Sequence, residues 1–158
     1  MKVYHATTEI VEHPLCDVGR VDVDFGPGFY VTDILAQAKD WAEVMSKRRN
    51  LFPVINVYEL YREHYIEESR ALLLPYYNEE WLRFVVDCRR RGKIAKDYDY
   101  VEGGVANDRV VDTVKFYMQG ILDLKTALGR LIFHKPNNQI CLKNQALMDK
   151  YLKFLKTL

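Results

Sequence analysis

Three side chains in the sequence are placed where they could contact a ligand: His5, Tyr30 and Gln139. Each lies inside or at an end of a short run of apolar and aromatic residues of the kind that forms β-strands. An imidazole hydrogen-bonds hydroxyl groups, a tyrosine ring stacks on planar groups, and a glutamine offers a neutral carbonyl and amide. Taken singly, each residue also fits a structural role, as an interior histidine, a core aromatic and a polar strand end. Their sequence surroundings favour a common site.

Several other chemistries lack the residue spacing that they need. The four histidines lie far apart and form no HExxH motif, so we expect no metal site. The three cysteines are widely spaced without a Cys-x-x-Cys pair, which disfavours a zinc site and a disulfide framework and fits a reducing compartment. The sequence has no Gly-x-Ser-x-Gly motif, and no cysteine lies in a recognisable nucleophile motif. Hydrolases of those kinds are therefore disfavoured.

Length and composition indicate a single folded domain over residues 1–158. Of the 158 residues, 49% are hydrophobic and 28% are charged, which is ordinary for a globular protein. The 23 Lys and Arg residues against 22 Asp and Glu residues give a net charge of +1. This balance predicts neither general nucleic-acid binding nor attraction to an anionic membrane. Because the sequence also has no leader peptide and no long apolar stretch, we expect a cytoplasmic protein without a membrane anchor.

The elements that position His5 and Tyr30 are predicted in the first third of the chain. Residues 2–5 form a short apolar and aromatic run that is typical of a strand. Residues 24–33 combine a Gly-Pro-Gly turn with a β-prone run ending at Asp33, a residue suited to cap a helix. Apolar residues then recur at helical spacing from Ile34 to Met45, and the cations of residues 47–49 suit the helix C-terminus.

The rest of the chain mixes strands and helices without a regular βαβ order. Strands are predicted over residues 54–60, 71–74, 98–101 and 139–142. Helices are predicted from Asn78 or Glu79 to a stop at Gly92, from Asn107 or Asp108 through Ile121, over residues 123–133, and from an Asn144 cap to the C-terminus. This order favours an α+β domain with a mainly antiparallel or split sheet over a doubly wound parallel one.

Three segments resemble the characteristic segments of the ADP-ribosyltransferases. They are Tyr4-His5-Ala6-Thr7, the run from Phe25 to Asp33 with Ala36, Ala38 and Trp41 after it, and Asn138-Gln139-Ile140-Cys141-Leu142. The family pattern is a strand ending in His-Gly-Ser or His-Gly-Thr, a Gly-x-Gly-x-Tyr strand followed by an alanine-rich helix, and a third strand that carries a glutamate. The nearer branch is that of diphtheria toxin and the poly(ADP-ribose) polymerases. The resemblance implies a split antiparallel β-sheet flanked by helices, with NAD as the substrate.

The resemblance also implies roles for residues of the first two segments. His5 matches the histidine that hydrogen-bonds the ribose of NAD, acting as a donor to its hydroxyl groups. The backbone at Ala6 takes the place of the glycine that clamps the nicotinamide amide, and Thr7 matches the small hydroxyl residue beside it. Tyr30 resembles the tyrosine that stacks on the nicotinamide ring. Gly28, beside Tyr30, completes the implied NAD pocket on this side.

The third segment departs from the family pattern at the position of its acid. Gln139 stands where active relatives carry a glutamate, and it supplies a neutral carbonyl and amide instead of a negative charge. Glu102 is a candidate to substitute for that acid. Thr32 could add a polar contact to NAD, whereas Asp33 is better suited to cap the following helix. With Gln139 in place, chain elongation is disfavoured, and transfer of a single ADP-ribose or slow NAD hydrolysis is the expected reaction.

The expected function is therefore mono-ADP-ribosylation of an unidentified protein or nucleic-acid acceptor, with a toxin or effector role and an antitoxin-type partner protein as options. The alternatives are a weakly active or inactive module of the same fold that binds NAD or a partner protein, and an unrelated α+β interaction domain. The Asp-Phe-Gly-x-Gly-Phe-Tyr core at residues 24–30 is also similar to that of an uncharacterised bacterial family of small proteins. We expect that likeness to extend over nearly the whole chain.

Overall fold

The computed structural model of the protein describes residues 1–106 and 108–158. The strands in this part of the chain are β1 (Lys2–Thr7), β2 (Phe29–Val31), β3 (Val54–Leu60), β4 (Ala71–Leu74), β5 (Tyr100–Gly103), β6 (Gln139–Leu142) and β7 (Leu152–Thr157). The helices are α1 (Leu35–Arg49), α2 (Arg62–Glu67), α3 (Glu79–Arg89), α4 (Asp108–Met118), α5 (Leu124–Leu131) and α6 (Gln145–Tyr151), with a 3₁₀ turn at Ile94–Asp97.

The strands form two sheets, and this mixed arrangement confirms the α+β class. One sheet has the strand order β1-β3-β7 and is antiparallel throughout. The other has the order β2-β6-β5-β4, in which β4 and β5 are parallel and the remaining pairs are antiparallel. A single bridge between Tyr4 and Thr32 joins β1 to the end of β2 through two backbone hydrogen bonds of 2.8 and 3.0 Å.

Successive side chains of β6 point in opposite directions and enter two separate hydrophobic cores. Ile140 and Leu142 lie in the core shared with Tyr58 of the three-stranded sheet. Cys141 lies in the core on the opposite face, which helices α3, α4 and α5 cover and in which Trp81 is fully buried. Because both faces of β6 are buried, the register of this strand is tightly specified.

Helix α1 lies against β1 through small side chains. Ala6 of β1, Ala38 and Ala42 of α1 and Ile55 of β3 form a third buried cluster. Alanines let the helix approach the strand closely, so the segment after the Gly-Pro-Gly turn is held beside the end of β1. The helix ends at Asn50, which adopts the left-handed conformation with φ of 54°, directly after the three cations predicted to end it.

The predicted C-terminal helix is wrong beyond residue 151. Asn144 does cap a helix, since its side chain accepts a hydrogen bond from the backbone N–H of Leu147 at 3.1 Å. That helix, α6, ends at Tyr151, and Leu152–Thr157 instead forms β7 against β3. Pairing with the open edge of β3 supplies hydrogen-bond partners to the backbone groups of both strands. The stability gained from these long-range hydrogen bonds outweighs the local helical pattern of residues 152–157.

The predicted cap at Asp33 is also wrong. The backbone N–H of Ile34 donates to the hydroxyl of Thr32 at 3.1 Å, while the Asp33 carboxylate accepts from Asn138 at 3.0 Å. Helix α1 accordingly begins one residue later than predicted, at Leu35. By contrast, the predicted cap at Asn78 is confirmed by a 3.0 Å hydrogen bond from the backbone N–H of Trp81.

Other boundaries also differ from the predictions: β1 extends to Thr7, α4 ends at Met118 and α5 ends at Leu131. The strand predicted over residues 98–101 lies at Tyr100–Gly103, and the short helix α2 was not predicted. The left-handed residue that ends α3 is Arg91, with φ of 57°, and not Gly92. The predicted start of α4 involves Asn107, which lies outside the described residues; the helix is described from Asp108.

Of the described helices, none is both long enough and apolar enough to cross a bilayer.

Candidate functional site

Strands β1 and β2 separate immediately after the bridge between Tyr4 and Thr32. Backbone groups along a strand alternate between its two neighbours, and the Met1 carbonyl accepts from Leu60 on the β3 side. Tyr4 and Ala6 therefore direct their N–H and C=O groups to the β2 side. Tyr4 uses both groups on Thr32, whereas within the described part of the chain no group hydrogen-bonds the Ala6 N–H or C=O. We call this opening, bounded by His5, Ala6 and Tyr30, the β1/β2 notch.

His5 occupies the notch with its imidazole ring. Its Nδ1 lies 2.7 Å from the backbone carbonyl oxygen of Tyr30, and because a carbonyl only accepts, Nδ1 carries the proton. The ring also packs on Phe29, with 4.4 Å between ring centroids. Burial lowers the pKa of the imidazole, which the hydrogen bond to Tyr30 offsets in part. The neutral ring thus presents Nε2 as an acceptor, so a ligand hydroxyl would donate to His5, opposite to the direction expected from the sequence.

The hydroxyl of Tyr30 is engaged within the chain. It donates to the Gly26 carbonyl and accepts from the backbone N–H of Phe25 at 3.3 Å, which closes the Gly-Pro-Gly turn onto β2. Burial raises the pKa of the phenol, so the hydroxyl stays protonated. The half-buried Tyr30 ring, which stacks on Phe25 at a centroid distance of 6.5 Å, is the part left to contact a ligand.

Gly28 and Thr32, both assigned to NAD binding from the sequence, have structural contacts. A Cβ at Gly28 would lie 2.9 Å from the carbonyl oxygen of Leu142, so glycine lets the turn lie against β6. The fully buried Thr32 hydroxyl donates to the Asn138 carbonyl at 2.7 Å while accepting from Ile34. Both residues therefore fix β2 and the start of α1 against β6.

Gln139 and Tyr30 lie on the same face of the four-stranded sheet. Tyr30 is directly opposite Cys141, and Gln139 is two residues from Cys141 along β6. Such diagonal neighbours have Cα atoms roughly 7–8 Å apart, within reach of long side chains. His5 approaches from the other face, because its ring contacts Phe29, whose side chain points opposite to that of Tyr30. The three predicted residues therefore surround the notch from both faces of β2.

The carboxylate of Glu102 is fully engaged in a polar network. Its Oε2 accepts from Nε and Nη2 of Arg62 at 2.8 and 2.7 Å and from the Tyr100 hydroxyl at 2.6 Å. Its Oε1 accepts from Nδ2 of Asn138 at 3.2 Å. The network ties α2 and β5 to the residue that precedes Gln139. Arg62 and Asn138 were missed from the sequence, because no local pattern links them to Glu102.

Gln37 of α1 brings an unsatisfied acceptor to the same region. Its Nε2 donates to the Asn138 carbonyl at 3.0 Å, but its Oε1 is buried and has no hydrogen-bond partner among the described residues. Buried side-chain acceptors are rarely left unpaired in folded proteins. A donor on a bound ligand or an ordered water molecule would satisfy it. Thr7, the other hydroxyl residue predicted at the site, is buried at the end of β1.

Neither metal coordination nor thiol chemistry is supported by the described side chains. Within residues 1–106 and 108–158, no three His, Cys, Asp or Glu side chains meet in a cluster that could hold a metal ion. The three cysteines are free and buried. Burial raises the thiol pKa of Cys16 to about 11 and that of Cys88 to about 12, so both remain protonated and weakly nucleophilic.

A protein-family model matches residues 1–154 of the chain. That family is described as "Protein of unknown function (DUF3990)". No curated protein matches the chain, and no solved structure matches it. The match covers nearly the whole chain, in line with the expected likeness to an uncharacterised family of small proteins. The chain therefore belongs to the DUF3990 family.

Proposed function

We propose that the protein transfers a single ADP-ribose unit from NAD to a macromolecular acceptor, with the β1/β2 notch as its NAD site. The observation that carries this proposal is the backbone of Ala6, whose N–H and C=O both face the notch beside His5. An unpaired donor and acceptor on one residue are complementary to a primary carboxamide such as that of nicotinamide. The likeness of the three sequence segments to ADP-ribosyltransferases supports the same assignment.

The residues around Ala6 fit the remaining parts of NAD. Nε2 of the neutral His5 ring can accept a hydrogen bond from a ribose hydroxyl, and the ring of Tyr30 offers a face to the nicotinamide ring. Gln139, at the start of β6, can hydrogen-bond the ribose through its carbonyl or amide. Groups held by strands and by internal hydrogen bonds bind a ligand with little loss of conformational entropy.

In the proposed reaction, the bond between the nicotinamide nitrogen and C1′ of the ribose breaks, and nicotinamide leaves with the electron pair. A nucleophile of the acceptor forms the new bond to C1′ and releases its proton to solvent. The ribose is cationic in the transition state, and a neutral glutamine stabilises that charge less than a carboxylate does. We therefore expect slow transfer without chain elongation.

A second candidate, an NAD-binding module without transferase activity, is favoured by one observation. Gln139 is uncharged, and the nearby Glu102 is held by Arg62 and Tyr100, so neither residue brings a free carboxylate to the notch. In this case NAD binding itself would be the function, with a partner protein responding to it.

The experiment that tests transfer uses NAD labelled in the adenine moiety, incubated with the pure protein and with cell extract. Free nicotinamide and label on protein and nucleic acid are followed in parallel. We expect release of nicotinamide and covalent labelling of the acceptor, and both should be abolished in Tyr30→Ala. Tyr61→Ala, which alters an exposed tyrosine outside the notch, should leave both unchanged. NAD that binds but remains intact would favour the binding module.

A further inference from the structure

A second candidate site is a cavity of about 480 Å³ at the opposite end of β6 from the notch. Lys143, which lines it, follows the last residue of β6, whereas Gln139 is the first residue of that strand. The two residues are separated by roughly 13 Å of extended chain. The Gly26–Pro27 turn forms one wall and the segment after α3 forms another. The volume falls within the range of about 300–1,000 Å³ that small-molecule sites occupy.

The charged side chains that line this cavity are mostly cationic. Arg70, Arg91, Lys96 and Lys143 line it against the single carboxylate of Asp99. Asp99 is engaged by Arg70 through two hydrogen bonds of 3.1 Å, which also lower the pKa of that carboxyl group. A concave surface lined mainly by one sign of charge concentrates the field and attracts ions of opposite charge.

Three of these cationic side chains have few contacts with other described residues, so most of their hydrogen-bond donors are unused. Arg91 approaches Asp22 only to 3.8 Å, and the Lys96 ammonium has no hydrogen-bond or ion-pair partner in the described part of the chain. Lys143 donates one hydrogen bond, to the Pro27 carbonyl at 2.6 Å, and an ammonium carries three donors. The cavity therefore offers several uncommitted donors to an anion.

The conformation of Arg91 adds an independent observation. Arg91 ends α3 with a left-handed φ of 57°, donating to the Cys88 carbonyl at 3.0 Å, while Gly92 donates to the Asp87 carbonyl at 2.8 Å. Glycine is the usual residue at this position because a side chain there destabilises the turn. Arg91 nevertheless occupies this position, and its side chain lines the cavity. A role of the guanidinium group in binding a ligand there would explain the presence of arginine.

The remaining wall of the cavity is apolar. Ala95 and Cys88 are buried beside it, and the half-buried Tyr98 contributes an aromatic surface, fixed by an edge-to-face contact with Phe84 at 5.9 Å. Cations on one side and an aromatic, apolar surface on the other suit a ligand that carries both a phosphate and a planar organic group.

We propose that this cavity binds a small organic phosphate of mononucleotide size. The phosphate lies among Arg91, Lys96 and Lys143, and the organic group lies against Tyr98 and Ala95. The site is separate from the notch and does not depend on NAD binding there. A cavity of about 480 Å³ matches one small molecule in size, which favours a free organic phosphate over a nucleic-acid strand.

Calorimetric titration of the full chain with AMP, adenosine and inorganic phosphate at low ionic strength tests the proposal. We expect AMP to bind at least about tenfold more tightly than adenosine, a difference of about 1.4 kcal/mol. Lys96→Ala and Arg91→Gly should each weaken AMP binding by about tenfold or more. Because Arg91→Gly relieves an unfavourable backbone conformation, its melting temperature should equal or exceed that of the wild type, so lost binding would not reflect unfolding.

Two matched variants control for backbone effects and for the location of binding. Asn50→Gly makes the same substitution at the left-handed residue that ends α1, away from the cavity, and should leave AMP binding unchanged. His5→Asn alters the notch and should also leave it unchanged. Equal affinities for AMP and adenosine, unaltered binding in Arg91→Gly, loss of binding in His5→Asn, or binding of single-stranded DNA without binding of AMP would each overturn the proposal.

Discussion

The imidazole of His5 donates a hydrogen bond to the carbonyl oxygen of Tyr30 at the point where β1 and β2 separate. Had the two strands stayed paired beyond Tyr4 and Thr32, the Ala6 N–H would have been the donor to that carbonyl. The histidine therefore satisfies Tyr30 and leaves the Ala6 backbone available. One side chain thus opens the notch and supplies an acceptor, Nε2, at its edge.

The lowered pKa of His5 predicts how stability depends on pH. The unfolded chain takes up a proton at His5 near pH 6.5, whereas the folded chain does so only at lower pH. Between these two pKa values the unfolded state holds more protons, so the free energy of unfolding decreases as pH falls, by at most about 1.4 kcal/mol per pH unit.

The comparison that isolates this effect is with His5→Asn, which keeps a donor to the Tyr30 carbonyl and removes the titrating ring. Urea unfolding from pH 7.5 down to pH 5 should show a smaller loss of stability in this variant than in the wild type. His64→Asn, at an exposed histidine, should behave like the wild type. Identical pH profiles for His5→Asn and wild type would contradict the assignment of a neutral, buried His5.

Tyr30→Phe separates the structural role of the hydroxyl from the role of the ring. The variant loses the hydrogen bonds to the Gly26 carbonyl and from the Phe25 N–H, so we expect destabilisation of about 1–2 kcal/mol. For a chain of this length that lowers the melting temperature by about 2–8 °C. NAD affinity should change by less than about threefold, since the ring remains. Thermal melts measure the stability of Tyr30→Phe, and calorimetric titrations measure its affinity for NAD. A large loss of NAD affinity without a loss of stability would show that the hydroxyl contacts the ligand instead.

Glu102→Gln should destabilise the fold more than a comparable change at the surface. The substitution removes the charge that pairs with the largely buried Arg62, and we expect a loss of about 1–3 kcal/mol. Glu79→Gln, which disrupts an exposed ion pair with Arg83, is the matched control, with an expected effect below about 1 kcal/mol. Urea unfolding measures the loss of stability in both variants. Equal losses would mean that the Arg62–Glu102 pair contributes no more than a surface salt bridge.

Locally encoded elements could be predicted from the sequence. The strands at Val54–Leu60, Ala71–Leu74 and Gln139–Leu142 have the predicted bounds, because short β-branched and apolar runs bounded by turn residues or proline leave little choice of conformation. The caps at Asn78 and Asn144 are confirmed for the same reason, since a cap depends on residues only three positions away.

Features that depend on distant partners could not be predicted. Residues 152–157 form a strand because β3 offers an open edge, and the sequence gives no sign of that edge. Asp33 does not cap α1 because its carboxylate accepts a hydrogen bond from Asn138, which lies 105 positions further along the chain. At the site, the positions of His5 and Tyr30 follow from their strands. Other features of the site depend on contacts between distant residues. These features are the free Ala6 backbone, the tautomer of His5 and the Arg62–Glu102 pair.

Gln139→Glu distinguishes the two proposed functions. Residue 139 is only 9% exposed, so a carboxylate there destabilises the free protein, and we expect a loss of about 1–3 kcal/mol. If the notch positions NAD for transfer, the added charge should stabilise the cationic ribose and raise nicotinamide release by at least about tenfold. Gln145→Glu is the control, because Gln145 lies in α6, which contacts α2 and β7. No increase in nicotinamide release by Gln139→Glu, at normal NAD affinity, would favour the binding module.

The most direct test of the central claim is the affinity of the protein for NAD, measured by calorimetry on the wild type and on His5→Asn. The asparagine amide keeps the hydrogen bond to the Tyr30 carbonyl but removes Nε2, so the notch stays open while the ribose loses its acceptor. We expect saturable NAD binding that weakens by about tenfold in His5→Asn, with little change in melting temperature. His64→Asn should leave the NAD affinity unchanged. Absence of NAD binding to the wild type, or equal affinity in His5→Asn, would contradict the central claim.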